Sequence, residues 1–160
     1  MPTTSPRSER RIEIPAPAPW VSANDRTHWR VKAERVKAWR LAASMLGRLV
    51  SRTPMGTPVD ITVTVHRTSA RRADASNLAP TAKAVIDGLT DAGWWPDDDD
   101  QHIVSTTFVA GQPKAQPTLT ITARAAGTDR APKDPDKRRR RWHPVDEQAA
   151  PILAARGDDT

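Results

Sequence analysis

Apolar and polar residues alternate in four short segments of the chain. In the clearest, Val59–Arg67, every second residue from Val59 to Val65 is valine or isoleucine and the residues between are polar. Such alternation is typical of a strand with one buried face. The other three segments are Arg10–Pro15, His102–Ala110 and Thr118–Arg124. The prolines that begin at Pro15 cannot donate ladder hydrogen bonds, so the first strand is predicted to lie at a sheet edge.

Two longer segments repeat apolar residues at the helical period. Thr27–Val50 is predicted to be a helix because apolar residues recur three and four positions apart. They are Val36, Trp39, Ala43, Leu46 and Val50. A second helix is predicted from Pro80 to Ala92, with Pro80 in its first turn and Gly93 as the left-handed residue past its end.

The order of these elements is βαβαββ, which predicts a small α/β (α+β) domain. It would contain a mixed sheet of about four strands covered by two helices. The turn-rich linker Gly111–Pro117 predicts a hairpin between the last two strands. Residues 1–10 are predicted to be disordered, residues 11–127 to form the domain, and residues 128–160 to be a charged, disordered tail.

The charge of the chain narrows the classes of partner. It has 25 Lys and Arg against 19 Asp and Glu, a net charge of +6, and +5 of this belongs to residues 1–127 (17 against 12). A basic folded part favours nucleic acid or an anionic membrane as partner. The chain has no cysteine, which excludes disulfides, cysteine zinc sites and a thiol nucleophile. Without an apolar run of about 18 residues or the apolar core of a secretory signal, a cytoplasmic protein is expected.

The candidate chemistry lies between Arg71 and His102. Asp74 follows the clearest strand, and Asn77 is a candidate cap for the approach to the second helix. Lys83 and Asp87 are four residues apart, so they share a helix face that Asp91 continues. Four consecutive aspartates, Asp97 to Asp100, follow the helix. We therefore expect a strand end, a helix face and a loop to converge around one pocket.

Carboxylates beside a lysine suit phosphodiester chemistry. Magnesium binds through one or two carboxylates together with water and substrate phosphate, and a lysine stabilises charge that develops in the transition state. The residues alone leave two other interpretations open. The four aspartates could form a solvated acidic turn, and Lys83 and Asp87 could be an ordinary helix ion pair.

Several better-known motifs are absent. An EF-hand loop starting at Asp97 would need a glycine and a terminal glutamate, but His102 and Phe108 stand at those positions. The chain has no GxxxxGK phosphate loop and no HExxH. Its four histidines, His28, His66, His102 and His143, show no ligand spacing and are expected to be ordinary surface or strand residues. The residues alone support the hypothesis of a magnesium-dependent enzyme that acts on nucleic acid.

The ordered string of motifs resembles the RusA family of Holliday junction resolvases, of phage and prophage type. The matching pieces are Arg71-Arg72, Asp74, Asn77-Leu78, the Lys83–Leu89 helix with Asp87, Ala92-Gly93 and Asp97-Asp98. Pro19-Trp20 followed by Ser22, Asn24 and Arg26 matches more loosely. The resemblance covers roughly residues 12–124, and its specific part covers residues 71–98.

The resemblance implies a dimeric, magnesium-dependent endodeoxyribonuclease of DNA recombination and repair, with Mn²⁺ as an alternative to Mg²⁺. It implies that Asp74, Lys83 and Asp98 are catalytic. Asp74 and Asp98 would hold the metal, supported by Asp97 and Asp87, and Lys83 would stabilise the transition state. We expect four-way junction DNA to be bound by basic and amide side chains, namely Arg71, Arg72, Arg30, Lys32 and Asn77.

The sequence departs from the family pattern at two points. Ser76 stands where the family has a second aspartate, and five residues rather than two separate Asn77 from Lys83. These departures keep an alternative open, a non-catalytic DNA-binding protein of the same fold. The basic tail run Lys137–Arg141, followed by Trp142, either adds DNA affinity or serves as a solubilising terminus. Truncation after Gly127 is predicted to leave cleavage intact and to weaken DNA binding modestly.

Overall fold

A computed structural model describes residues 9–56, 58–70 and 73–127. They form strand β1 (Glu9–Pro15), helix α1 (Trp29–Val50), strand β2 (Val59–His66), a 3₁₀ turn (Ala75–Leu78), helix α2 (Ala79–Asp91), strand β3 (Ile103–Ala110) and strand β4 (Thr118–Ala125). The predicted order βαβαββ and the mixed α/β fold class are confirmed. The predicted tail and nearly all of the predicted disordered N-terminus lie outside the described residues.

The four strands form one mixed sheet in the order β1-β4-β2-β3. Strands β1 and β2 are both antiparallel to β4, whereas β3 is parallel to β2. One face of the sheet is apolar, with Ile14, Val63 and Ile121 fully buried. Helices α1 and α2 pack against each other, and their apolar faces join the same core. The described domain is therefore a two-layer fold with a sheet on one side and a helix pair on the other.

The predicted hairpin between the last two strands is wrong. Strand β2 lies between β3 and β4, so the linker Gly111–Pro117 passes the end of β2 instead of closing a turn. Gly111 N–H donates to Val65 O at 2.9 Å, and the His66 ring lies against Gly111 and bonds Gln112 O. The reason is burial. Strand β4 carries Leu119, Ile121 and Ala123, all fully buried, and takes the central position, while half-exposed β3 takes an edge. The prediction of an edge position for β1 is confirmed.

Two glycines allow the helices to approach closely. A Cβ atom on Gly88 would lie 2.2 Å from the backbone oxygen of Arg40, and a Cβ on Gly47 would lie 2.9 Å from the Ala92 Cβ. Real Cβ atoms do not come this close to other atoms, so a larger residue at either position would push α1 and α2 apart. The crossing brings the exposed side of α1 beside the polar face of α2.

The apolar stripe of α1 is buried only in part. Trp39 and Ala43 are fully buried, and Trp39 stacks on Trp20 with ring centroids 5.0 Å apart. Val50, the last residue of the predicted stripe, is half exposed because the helix extends beyond the core. Among the described residues, no helix is long and apolar enough to cross a membrane.

Candidate active site

A concave pocket of about 310 Å³ lies along the exposed side of α2. It is lined by residues of both helices and of the loop after α2, namely Arg40, Lys83, Asp87, Thr90, Asp91, Asp97 and Asp98. The predicted convergence of the helix face with the acidic loop is therefore observed. The third predicted component, the strand end with Asp74, is not among the lining residues.

Lys83 joins the two acidic parts of the pocket. Its Nζ donates to Asp87 Oδ1 at 2.6 Å and also to Asp98 Oδ2, fifteen residues further along the chain. Partial burial alone would lower the pKa of Lys83, but the two carboxylates outweigh it and raise that pKa. The Lys83 ammonium in turn lowers the pKa of Asp98. The centre of the pocket is therefore a lysine held between two acidic side chains.

The loop that carries Asp97 and Asp98 is fixed by local geometry at the end of α2. Gly93 has φ +82°, Gly93 N–H donates to Thr90 O, and Trp94 N–H donates to Leu89 O. This is the Schellman arrangement, in which a left-handed glycine ends a helix and satisfies its last carbonyls. The chain therefore reverses direction directly after the helix, as the position of Gly93 in the sequence predicts.

Two tryptophans then anchor the reversed chain to both helices. Trp94 Nε1 donates to Gly47 O in α1 at 2.9 Å, and Trp95 Nε1 donates to Thr90 Oγ1 in α2 at 2.8 Å. Both side chains are almost completely buried and belong to the hydrophobic core. With the tryptophans fixed, Asp97 and Asp98 lie back along the exposed side of α2.

Arg40 belongs to the site although the sequence-based site prediction did not include it. It donates two hydrogen bonds to Asp91, from Nε at 2.6 Å and from Nη2 at 2.9 Å. The Arg40 guanidinium lowers the pKa of Asp91, and Asp91 raises the pKa of Arg40. The signal for this pair in the sequence is Gly88, because a glycine on the buried side of a helix marks a close crossing with a neighbour.

Asp74 does not line this pocket. Its Oδ1 accepts the Ser76 N–H at 2.9 Å and caps the 3₁₀ turn, and the backbone and side chain of Ser76 lower the pKa of Asp74. No hydrogen bond or ion pair within the described part of the chain joins Asp74 to Lys83 or Asp98. The prediction of Asn77 as the cap is wrong, because Asp74 caps the turn and no side chain caps α2.

The loosely matching N-terminal piece lies beside the start of α2. Ala23 N–H donates to Asn77 O at 2.8 Å, and the hydroxyl of buried Thr81 bonds both backbone polar groups of Val21. Two parts of the resemblance that are more than fifty residues apart in the sequence are thus in contact. They meet at the 3₁₀ turn that Asp74 caps, directly before α2.

The candidate DNA-binding residues are in different situations. Arg30 is exposed and lies over the Trp29 ring, 5.3 Å from its centroid, whereas Lys32 donates to Asp25 O. Asn77 is half-buried. Arg71 and Arg72 lie outside the described residues.

The described histidines have ordinary structural roles, as expected. His66 Nε2 bonds Thr120 Oγ1 at 3.0 Å, His102 Nδ1 bonds Asp99 Oδ1 at 2.6 Å, and His28 caps α1. The Asp99 pKa is lowered by its hydrogen bond with His102. His143 lies outside the described residues.

The pocket offers a limited ligand set for a metal ion. Throughout the described ranges, no three or more acidic or histidine side chains are placed to share one ion. Asp87 and Asp98 do share one cation, the Lys83 ammonium. Two carboxylates satisfy what magnesium takes from a protein when water and a substrate phosphate supply the remaining ligands. The donor set therefore fits magnesium that is bound together with substrate.

No protein-family model matches the chain, and no curated protein matches it significantly in sequence. The resemblance to RusA resolvases therefore stays a prediction that rests on the motif between residues 71 and 98.

Proposed function

We propose that this protein is a magnesium-dependent endodeoxyribonuclease that resolves four-way DNA junctions by paired, symmetric nicks. The observation that carries the proposal is the contact of Lys83 with both Asp87 and Asp98 in an open pocket. These three residues also belong to the motif that resembles the RusA family. A lysine and carboxylates from separate chain segments, together in a concave site on a basic protein, suit the hydrolysis of a phosphodiester.

Each pocket residue has a separate role in this proposal. Asp98 and Asp87 would hold magnesium, which when bound supplies positive charge at the phosphate oxygens and helps to generate hydroxide. Asp97 accepts the Asp98 N–H at 2.8 Å and so orients the acidic loop. Lys83 places a positive charge where the transition state is most negative. Asp74 stays in the proposal as a metal ligand on the strength of the resemblance.

The proposal includes a homodimer. Junction resolution requires two opposed strands to be cut, and one chain supplies one set of Lys83, Asp87 and Asp98. Two copies would supply the two active sites that paired nicks require.

Cleavage of a labelled four-way junction, with linear duplex as substrate control, tests the proposal. Paired nicks are expected in magnesium and not in chelator. Lys83→Ala should lower the rate roughly 10²–10³-fold, the usual loss for an electrostatic catalytic group. The matched control is Asp100→Asn, because Asp100 is an exposed aspartate of the same loop that does not line the pocket. Cleavage that is unchanged in Lys83→Ala would refute the proposal.

A second candidate function is a DNA-binding protein of this fold that does not cleave. It is favoured by the position of Asp74 outside the pocket and by Ser76 in place of a carboxylate. The same assay separates the two functions. Tight binding of the junction without nicks, in magnesium and in manganese, would establish the binding protein.

A further inference from the structure

A second, larger concavity adjoins the candidate active site. It has a volume of about 450 Å³ and is lined by Lys37, Arg40, Leu41, Ser44, Arg48 and Asp91. Arg40 and Asp91 line both concavities, so their ion pair forms the boundary between them. We call this second concavity the basic groove.

The basic groove contains more cationic than anionic side chains. Arg40 is paired with Asp91, and Arg48 donates only to the backbone oxygen of Asp91 at 3.3 Å. Within the described part of the chain, neither Lys37 nor Arg48 takes part in an ion pair. Both are exposed. With three cations against the single carboxylate of Asp91, the groove has a net charge of +2 and attracts an anionic ligand.

We propose that the basic groove binds the phosphodiester backbone of the DNA strand that leads into the Lys83 pocket. The inference rests on the proposed function and extends it, because it assigns a DNA path to residues outside the family motif. Lys37 and Arg48 are separated by eleven residues of α1, roughly 16 Å at the helical rise. That distance corresponds to about five nucleotides at 3.4 Å per nucleotide.

The position of the groove favours a nucleic-acid strand over an acidic protein segment. A strand whose phosphate lies at Lys83 must leave the pocket, and the acidic loop on one side repels it. On the other side the pocket opens past Arg40 toward Lys37 and Arg48. A continuous backbone can therefore contact cations without crossing the aspartates.

The salt dependence of DNA binding tests the inference without requiring cleavage. The probe is a fluorescein-labelled four-way junction, and its affinity for the full chain is measured by anisotropy in chelator between 50 and 200 mM salt. The variant is Lys37→Gln/Arg48→Gln. Loss of two phosphate contacts should reduce the slope of log K against log salt by about 1.8. The wild type should then lose roughly ten-fold more affinity than the variant over this range.

The matched control is Arg11→Gln/Arg124→Gln. It removes the same charge from exposed side chains on the outer face of the sheet, away from the helices. Its salt slope should stay close to that of the wild type. Circular dichroism of both variants establishes that they are folded.

A third variant should act in the opposite direction. Asp91→Asn removes the charge that neutralises Arg40, so the slope should steepen by about 0.9 as one more cation reaches phosphate. A steeper slope for Asp91→Asn and a shallower one for the groove variant together support the groove as the DNA path.

The outcomes that overturn the inference differ from those that overturn the proposed function. If the wild type binds the junction and the groove variant has the same salt slope as its control, the inference is wrong. The groove would then bind a different anionic partner, such as an acidic protein segment. If the wild type does not bind the junction at all, the proposed function fails as well.

Discussion

The aspartates that precede and follow α2 look alike in the sequence and differ in the structure. Asp74, before the helix, bonds the backbone of Ser76 two residues away. Asp98, after the helix, bonds Lys83 fifteen residues away and lies in the pocket with Asp87. Both have a lowered pKa, Asp74 through a local cap and Asp98 through a lysine from another element. A carboxylate that is exposed and has a lowered pKa is therefore not by itself a site residue.

Asp74 and Asp98 differ because different contacts fix the chain segments that carry them. The acidic loop is fixed to both helices by Trp94 and Trp95, whereas the turn at Asp74 is fixed by its own cap and by the contact of Asn77 with Ala23. Among the described residues, the first arrangement brings carboxylates and a lysine from separate segments together. The chemistry of the pocket consequently depends on the packing of the helices beneath it.

The largest expected effect comes from substituting the aspartates on the two sides of α2, one at a time. Asp98→Asn should lower junction cleavage roughly 10²–10³-fold, because it removes a carboxylate from the pocket. The resemblance predicts a loss of similar size for Asp74→Asn. This substitution tests chemistry cleanly, because asparagine caps as well as aspartate. Cleavage rates at saturating magnesium check both predictions.

The two cleavage rates decide whether Asp74 and Asp98 serve the same reaction. Equal losses, with a double variant no worse than either single one, would mean that both aspartates serve one reaction. Full activity in Asp74→Asn beside an inactive Asp98→Asn would assign the chemistry to the pocket alone and contradict the role that the resemblance gives to Asp74.

A smaller effect concerns the helix packing that supports the pocket. Gly88→Ala would place a methyl group against the backbone of Arg40, and overpacking of this kind commonly costs about 1–3 kcal/mol. Urea unfolding measures the free energy of unfolding. Gly56→Ala is the control, because nothing lies within 4 Å of its Cβ position. Equal stability of the two variants would contradict the close crossing of α1 and α2.

The smallest effect concerns the ion pair at the edge of the pocket. Asp91 is partly exposed, so Asp91→Asn should lower the Tm at pH 7 by no more than about 4 °C. Arg40 holds the folded pKa of Asp91 below its unfolded value. The contribution of the pair is therefore complete above the unfolded pKa near 4 and is lost as the pH falls through the folded pKa.

Thermal melts of both proteins between pH 2 and pH 7 check this dependence. The difference in Tm should shrink as the medium becomes acidic. A difference that grew at low pH would mean that Asp91 is not stabilised as a carboxylate by Arg40.

The sequence by itself determined the elements and the fold class. Alternation in Val59–Arg67 and the helical period of Pro80–Ala92 predicted β2 and α2 within a residue or two of their observed bounds. Gly93 predicted the left-handed residue that ends α2. These features depend on residues within a few positions of each other, and their physical cause, backbone hydrogen bonding and the burial of one face, is local.

Only the tertiary structure decided the strand order, the membership of Arg40 in the site and the absence of Asp74 from the pocket lining. The hairpin prediction failed because the most deeply buried strands take the central positions of the sheet. Strand β4 is mostly buried and pairs with β1 and β2, which lie far from it in the sequence, instead of with the half-exposed β3. Arg40 reaches Asp91 through a helix crossing that Gly47 and Gly88 permit together. Such contacts join residues dozens of positions apart, so no local pattern specifies them.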